Sequence, residues 1–344
     1  MSDRRMDRVC IVMMSAVGDA VHVLPVINAI KRHNPSSQIT WVLQPGPASL
    51  VQGHPAVDEV ILFDRSRGIA AFREVISKLR ARRFDLLINL QVYFKAGIIT
   101  AFSGIPRRLG FDRARARDAN WLFTTERIAA HKVQHVQDQY FEFLHALGID
   151  PNPVEWGLGP WDDEREWQRS FVAQFHDPLA TIIVATSKPE KDWDATRWAH
   201  VCDLLRERYN LQPVLAGGSS ERERKAAAEI VRLTDSQPHV ALGSGLRRLV
   251  SILDASQVVL SPDTGPLHIS VALNRPVISL IGYTDPRRTG PWRRFQDLVI
   301  DAYHEAGENG PVTMATRKDR MPRITVDDVA AKLSLWNDRY RGKS

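Results

Sequence analysis

Two cysteines in 344 residues are too few for a disulfide framework. Cys10 lies in an apolar run and Cys202 on the apolar side of a helical pattern. Both read as small buried hydrophobes of a reducing compartment. No apolar stretch approaches the ~20 residues of a membrane span, so an integral membrane protein is not expected. Low-complexity runs and short-period repeats are missing as well. The chain also lacks a P-loop, a G-x-S-x-G elbow and a G-x-G-x-x-G turn, so kinase, hydrolase and dehydrogenase readings want their required parts. No His or Cys cluster has metal-ligand spacing.

What is present is a soluble composition, 44% hydrophobic and 25% charged, in a chain long enough for two domains. The net charge is +6, concentrated in REVISKLRARR (73–83) and RRLGFDRARARD (107–118). Such runs attract polyanions or form solvated helix faces. They lack the interleaved aromatics and recognition motifs of a nucleic-acid binder, and no nucleic-acid partner is expected. Arg4, Arg5 and Arg8 before VCIVMMSAV imitate a signal peptide. The apolar run is short, has no cleavage pattern and ends in Gly18-Asp19, so it reads as a first strand.

Strand and helix patterns alternate almost throughout. Strands are expected at VCIVMM (9–14), QITWVL (38–43), VILF (60–63) and FDLLINL (84–90), with helices after the first and third. A stretch rich in Pro, Gly and Trp at 148–165 marks a boundary. A second series follows, with strands at 181–186, 213–218, 240–242, 257–261 and 276–282, helices from 195 and over 220–234, and a last helix whose start carries Thr325 and Asp328 as a capping box. The expected fold is α/β, with two doubly wound parallel sheets and a ligand cleft at the carboxyl ends of the strands.

Three strand-to-helix turns carry candidate chemistry. In SAVGDAVHVLP (15–25), Gly18 permits close approach and Asp19 opens a helix. Asp19 is either a base for a substrate hydroxyl or an N-cap, and spacing alone favours the cap. In VVLSPDTGPLHISVAL (258–273), the amides of Thr264, Gly265 and Leu267 at a helix start with Pro266 in its first turn suit a diphosphate. Asp263 orients that loop or touches substrate, and His268 is a ligand contact or a structural histidine. In TSKPEKDWDATRW (186–198), Lys188 and Lys191 either neutralise a leaving diphosphate or form a solvated pair. Asp192 and Asp194 have D-x-D spacing, but Asp194 reads better as a helix N-cap than as a metal ligand.

Taken with QVYFKAG (91–97), these segments resemble the heptosyltransferases, glycosyltransferase family 9, in order and over essentially the whole chain; SPDTGPLHISVALNRPVISLIGYTDP carries the most specific motif. The resemblance implies a GT-B fold of two Rossmann-like domains with an interdomain cleft. Residues 1–155 would bind acceptor, 156–323 the nucleotide sugar, and 324–344 would form a helix returning toward the first domain. It implies an inverting transfer without metal or other cofactor, from ADP-heptose to the Kdo or heptose of a lipopolysaccharide inner core. The enzyme would be cytoplasmic and peripheral on the inner membrane face. Asp19 matches the family's general base and Lys191 a phosphate-contacting lysine. Thr186, Ser187, Lys188, Gly217 (in the loop GGSSERER), Asp263, Thr264, Gly265, Pro266 and His268 fall on the donor side. Gly18, His22, Lys95 and Arg113 fall on the acceptor side. Met13 departs from the lysine that family members often carry there. Alternatives are another nucleotide sugar or acceptor, a sugar-nucleotide epimerase, and a non-catalytic nucleotide-sugar-binding protein. The oligomeric state is not legible.

Overall fold

The computed structural model describes residues 6–342; Arg4 and Arg5 of the amino-terminal basic run lie outside them. The chain divides into two compact units, one running to Lys132 and resuming over Val136–Gly157, the other comprising Val133–His135 and the chain from Leu158 onward.

The first unit runs β1 (Arg8–Val12), α1 (Val17–His33), β2 (Gln38–Leu43), α2 (Pro45–Val51), β3 (Glu59–Leu62), α3 (Ile69–Arg80), β4 (Leu86–Asn89), α4 (Phe94–Phe102), β5 (Arg108–Gly110), β6 (Glu126–Arg127) and α5 (Val136–Leu147). Its six strands are all parallel in the order β3-β2-β1-β4-β5-β6. Both faces of such a sheet are covered, so its strands read as continuous apolar runs. Four of five β1 residues and all four of β4 are buried accordingly. The α3 side of the sheet packs Val75 and Leu79 onto Val12, Val42 and Leu87.

The second unit runs α6 (Asp162–Val172), β7 (Leu179–Ile183), α7 (Ala195–Tyr209), β8 (Gln212–Ala216), α8 (Glu221–Leu233), β9 (His239–Val240), α9 (Leu246–Ala255), β10 (Ser256–Pro262), α10 (Gly265–Ala272), β11 (Val277–Ile281), α11 (Pro286–Thr289), β12 (Val299–Asp301) and α12 (Val326–Arg339). Its sheet order, β12-β11-β10-β7-β8-β9, repeats the first in reverse listing. Counted within the unit, both sheets have the 3-2-1-4-5-6 order of an open, doubly wound dinucleotide-binding sheet. Thr325 and Asp328 form the expected capping box, and α12 packs Val329, Leu333 and the fully buried Trp336 within this unit, against α7 and β12.

Both cysteines are free and buried, and burial pushes both thiols up. Four cations of the two basic runs are ion-paired at home. Glu74 pairs with Arg67 and Lys78, Arg82 with Glu59, Arg107 with Glu126, and buried Arg115 with Asp112 and Glu142. The 107–118 run is a strand followed by a turn, so the helix-face reading fails there. Among the described residues no helix is long and apolar enough to cross a membrane.

Candidate active site

In a doubly wound sheet the strand order reverses between two central strands, and the helices leaving them depart to opposite faces. This opens a crevice at the carboxyl ends of those strands. In the first unit the reversal lies between β1 and β4; in the second it lies between β10 and β7. All three turns singled out by sequence leave these strands.

After β1 the chain passes through Ser15 into α1, whose N-cap is Ala16. Asp19 is therefore not the N-cap but the third helical residue. Its Oδ2 accepts the Ala16 amide at 3.0 Å, and its Oδ1 accepts the Tyr140 hydroxyl from α5 at 3.1 Å. The half-buried carboxylate is fixed from both sides of the fold. Gln91, after β4, donates to the Ser15 carbonyl at 2.8 Å and ties the two strand ends together. His22, one turn further along α1, is buried; its Nδ1 lies 3.0 Å from Gln137 Oε1, and the Gln137 amide donates to the His22 carbonyl at 2.8 Å. This places His22 in the packing layer between α1 and α5. Met13 is buried too, with its carbonyl accepting the Trp41 indole at 3.1 Å. Gly18 is half-buried, and Lys95 and Arg113 are exposed on α4 and the turn after β5.

In the second unit Asp263 follows β10 and Lys191 closes the loop after β7. Lys191 Nζ donates to Asp263 Oδ2 at 2.6 Å and to the Asp263 carbonyl at 3.1 Å. The same Oδ2 accepts the hydroxyls of Thr284 at 2.5 Å and Thr289 at 3.3 Å, both from the segment after β11. The pair is largely withdrawn from water, with Lys191 16% and Asp263 7% exposed. Lys188 Nζ and Lys191 Nζ lie 5.2 and 5.9 Å from the centre of the Tyr283 ring. Lys188 itself is exposed, as is Ser187.

The helix start differs from expectation in one amide. Thr264 is the N-cap of α10 and Pro266 sits in the first turn, but the Leu267 amide donates to the Thr264 carbonyl at 3.1 Å. The turn tightens to 3₁₀ geometry there and uses up that donor, which leaves the amides of Thr264 and Gly265 as the expected anion donors. His268 is buried 3.9 Å from Asp263 Oδ1. Burial, then the nearby His135 and Lys191, push its pKa down to about 3, so the ring is neutral at ordinary pH. His135 in turn donates from Nε2 to the Gly290 carbonyl at 3.0 Å.

The loop after β7 is knitted by its own polar groups. Asp192 Oδ1 accepts the Thr186 amide at 2.7 Å, its other oxygen meets Arg222 at 3.0 Å, and Arg222 also donates to the Thr186 carbonyl. Burial pushes the Asp192 carboxyl above the usual carboxylate range against these contacts. Asp194 caps α7 by accepting the Thr196 and Arg197 amides. The D-x-D pair is thus spent on backbone and Arg222, and it does not offer two open carboxylates to a metal. Gly217 and Gly218 wrap around Glu223, which accepts the Gly218 amide at 2.5 Å and completes the α8 capping box with Ser220. A Cβ at Gly218 would stand 2.8 Å from that carboxylate.

Tyr140, Gln91, Thr284, Thr289, Tyr283 and Arg222 complete these two sites and were not singled out from the sequence. Thr284 and Thr289 follow a recognisable strand and turn, a usable signal. Tyr140 is 121 residues from Asp19, and no local pattern connects them.

Two doubly wound sheets of like order are those of the GT-B architecture. The chain belongs to glycosyltransferase family 9 (heptosyltransferase), whose sequence pattern matches residues 72–311. It is 28% identical over 334 residues to the lipopolysaccharide core heptosyltransferase OpsX of Haemophilus influenzae, covering 94% of this chain and 95% of that one. It is 29% identical to lipopolysaccharide heptosyltransferase 1 of Salmonella typhimurium, covering 84% and 92%. A family 9 glycosyl transferase structure from Veillonella parvula superposes with a TM-score of 0.80 at 21% identity, covering 96% and 97%. The E. coli heptosyltransferase WaaC with ADP gives 0.75 at 22% identity, covering 97% and 99%.

Proposed function

We propose that this enzyme transfers heptose from ADP-heptose to the Kdo or heptose of a lipopolysaccharide inner core, by a single inverting displacement that needs no metal. The observation that carries the reading is the division of chemistry between the two switch points. One holds an anchored carboxylate, the other a lysine–carboxylate pair beside a helix amino terminus. Asp19 takes the proton of the acceptor hydroxyl as its oxygen bonds to the anomeric carbon. The bond from that carbon to the β-phosphate oxygen breaks, and ADP leaves. The Thr264 and Gly265 amides, the α10 dipole and Lys188 receive the growing negative charge.

Lys191 contacts the donor phosphate and also neutralises Asp263. A buried carboxylate beside a diphosphate repels it, and the ion pair with Lys191 cancels that charge. Thr186, Ser187, Gly217, Pro266 and His268 then shape the donor side, with His268 neutral. Gly18, Lys95 and Arg113 serve the acceptor, while His22 supports α1 beneath Asp19. The domain assignment follows: acceptor on the first unit, nucleotide sugar on the second, with the enzyme working from the cytoplasm against the inner membrane.

Calorimetric titration with ADP-heptose and with UDP- and GDP-sugars, in excess EDTA, tests the donor. The reading expects ADP-heptose to bind most tightly and EDTA to change nothing. Tighter binding of another nucleotide sugar would keep the family and replace the substrate.

A further inference from the structure

Helix α4 is apolar on both sides. Ala96, Gly97, Ile99 and Thr100 face inward and are buried. Phe94, Ile98 and Phe102 recur every four residues on the other side, with Phe94 47% and Phe102 54% exposed. Apart from Lys95, the outer side of α4 is apolar, whereas the water-facing side of a surface helix is otherwise polar.

The neighbouring segment enlarges the patch. A 3₁₀ turn over Asn120–Phe123 packs on α4, with Phe123 edge-on to Phe94 at 5.6 Å and pressed against Gly97, where a Cβ would collide with its ring. This turn presents Leu122, 59% exposed, and Tyr93 just before α4 is 51% exposed. Cations flank Trp121 at the edge of the patch, and one carboxylate, Asp118, accepts the Phe94 amide at 3.4 Å. Arg113 and Arg127 lie 4.8 and 5.4 Å from the Trp121 ring centre. Lys95, Arg113 and Arg127 make no ion pair among the described residues, in contrast to Arg107 and Arg115 nearby.

We propose that this face of α4 and the 120–123 turn seats the first unit on an anionic lipid bilayer. Phe94, Phe102 and Leu122 would enter the interfacial layer, with Trp121 and Tyr93 at headgroup level, Arg127 on lipid phosphate, and Lys95 and Arg113 on the acceptor's anionic groups at the same surface. An apolar centre, amphipathic aromatics and cations without ion pairs at its edge are what an interfacial site requires. A second copy fits worse, since a two-fold contact sets the same cations against each other. The inference deepens the lipid-linked acceptor reading and rests on it for its purpose, but binding is measured without any transfer.

The test is co-sedimentation of the full chain with vesicles of phosphatidylethanolamine and phosphatidylglycerol in equal parts, against phosphatidylcholine alone. The probes are Phe102→Ser with Leu122→Ser, and separately Arg127→Glu. Binding is expected to anionic vesicles only and to weaken with salt. It should fall about tenfold or more in the double variant, as two apolar side chains leave the interface, and severalfold in Arg127→Glu. Retained ADP binding and unchanged transfer to a delipidated acceptor would show the variants folded. Absence of vesicle binding by the wild-type chain, or equal binding by the variants, overturns the proposal. So does dimerisation through this face, or binding of single-stranded DNA in place of vesicles. Failure of heptosyl transfer with vesicle binding intact would sink the substrate reading and leave the surface standing.

Discussion

Replacing Lys191 with methionine keeps most of the side-chain volume and deletes the charge. The Asp263 carboxylate, 7% exposed, then retains the Thr284 and Thr289 hydroxyls but no cation at bonding distance. Removing one partner of a buried pair typically costs 3–5 kcal/mol, because the other charge stays behind unpaired. The two hydroxyls and the 16% exposure of Lys191 place this case near the lower end, about 3 kcal/mol. In a unit of this size each kcal/mol lowers Tm by about 2–4 °C, so scanning calorimetry should show a fall of about 6–12 °C. Adding Asp263→Asn removes the stranded charge, and the double variant should recover roughly half of the loss. ADP affinity provides a separate readout. It should fall further in Lys191→Met than in the double variant, since only the single variant leaves a bare carboxylate beside the diphosphate. A Tm change under about 2 °C, or a double variant no better than Lys191→Met, would refute the pairing and the role built on it.

Burial holds His268 neutral, with its pKa down at about 3 against 6.5 in the unfolded chain. Between those values the unfolded state binds a proton that the folded state refuses. This histidine therefore leaves stability unaffected above pH 6.5 and erodes it as pH falls toward 3. Over pH 4.5–7, His268→Gln should lose Tm less steeply than wild type, and parallel curves would contradict the assignment. Gly290→Ala should lower Tm by several degrees and loosen ADP, because the new Cβ would collide with the Pro286 carbonyl beside Thr289, while Gly310→Ala, with open space around it, serves as the neutral control. A melt of Gly290→Ala indistinguishable from that control would show that the turn yields without cost.

Much of the fold could be read in advance because parallel strands buried on both faces leave uninterrupted apolar runs. QITWVL and PVISLIG coincide with β2 and β11 to within a residue. The Thr325–Asp328 and Asp194 caps were equally legible, since a cap is a local hydrogen bond. β5, β6 and β12 span only two or three residues and carry no period to detect. α4 has no amphipathic period to read, because it is apolar on both sides apart from Lys95. At the candidate site, the strand-to-helix turns were visible as Gly, Pro and Asp at fixed offsets. Their partners were not, because Tyr140, Thr284 and Arg222 arrive through the sheet topology from other parts of the chain. Leu267 shows the limit of motif reasoning: a helix start predicts free amides, and one was taken by a tightened turn.

The most direct test of the account is ADP release from ADP-heptose with a Kdo-terminated acceptor in excess EDTA, comparing wild type with Asp19→Asn. The account predicts release that requires the acceptor and survives EDTA. The variant should fall about 10²–10⁴-fold in kcat with ADP affinity unchanged, as expected when a general base is removed. Undiminished turnover by Asp19→Asn, or turnover abolished by EDTA, would contradict it.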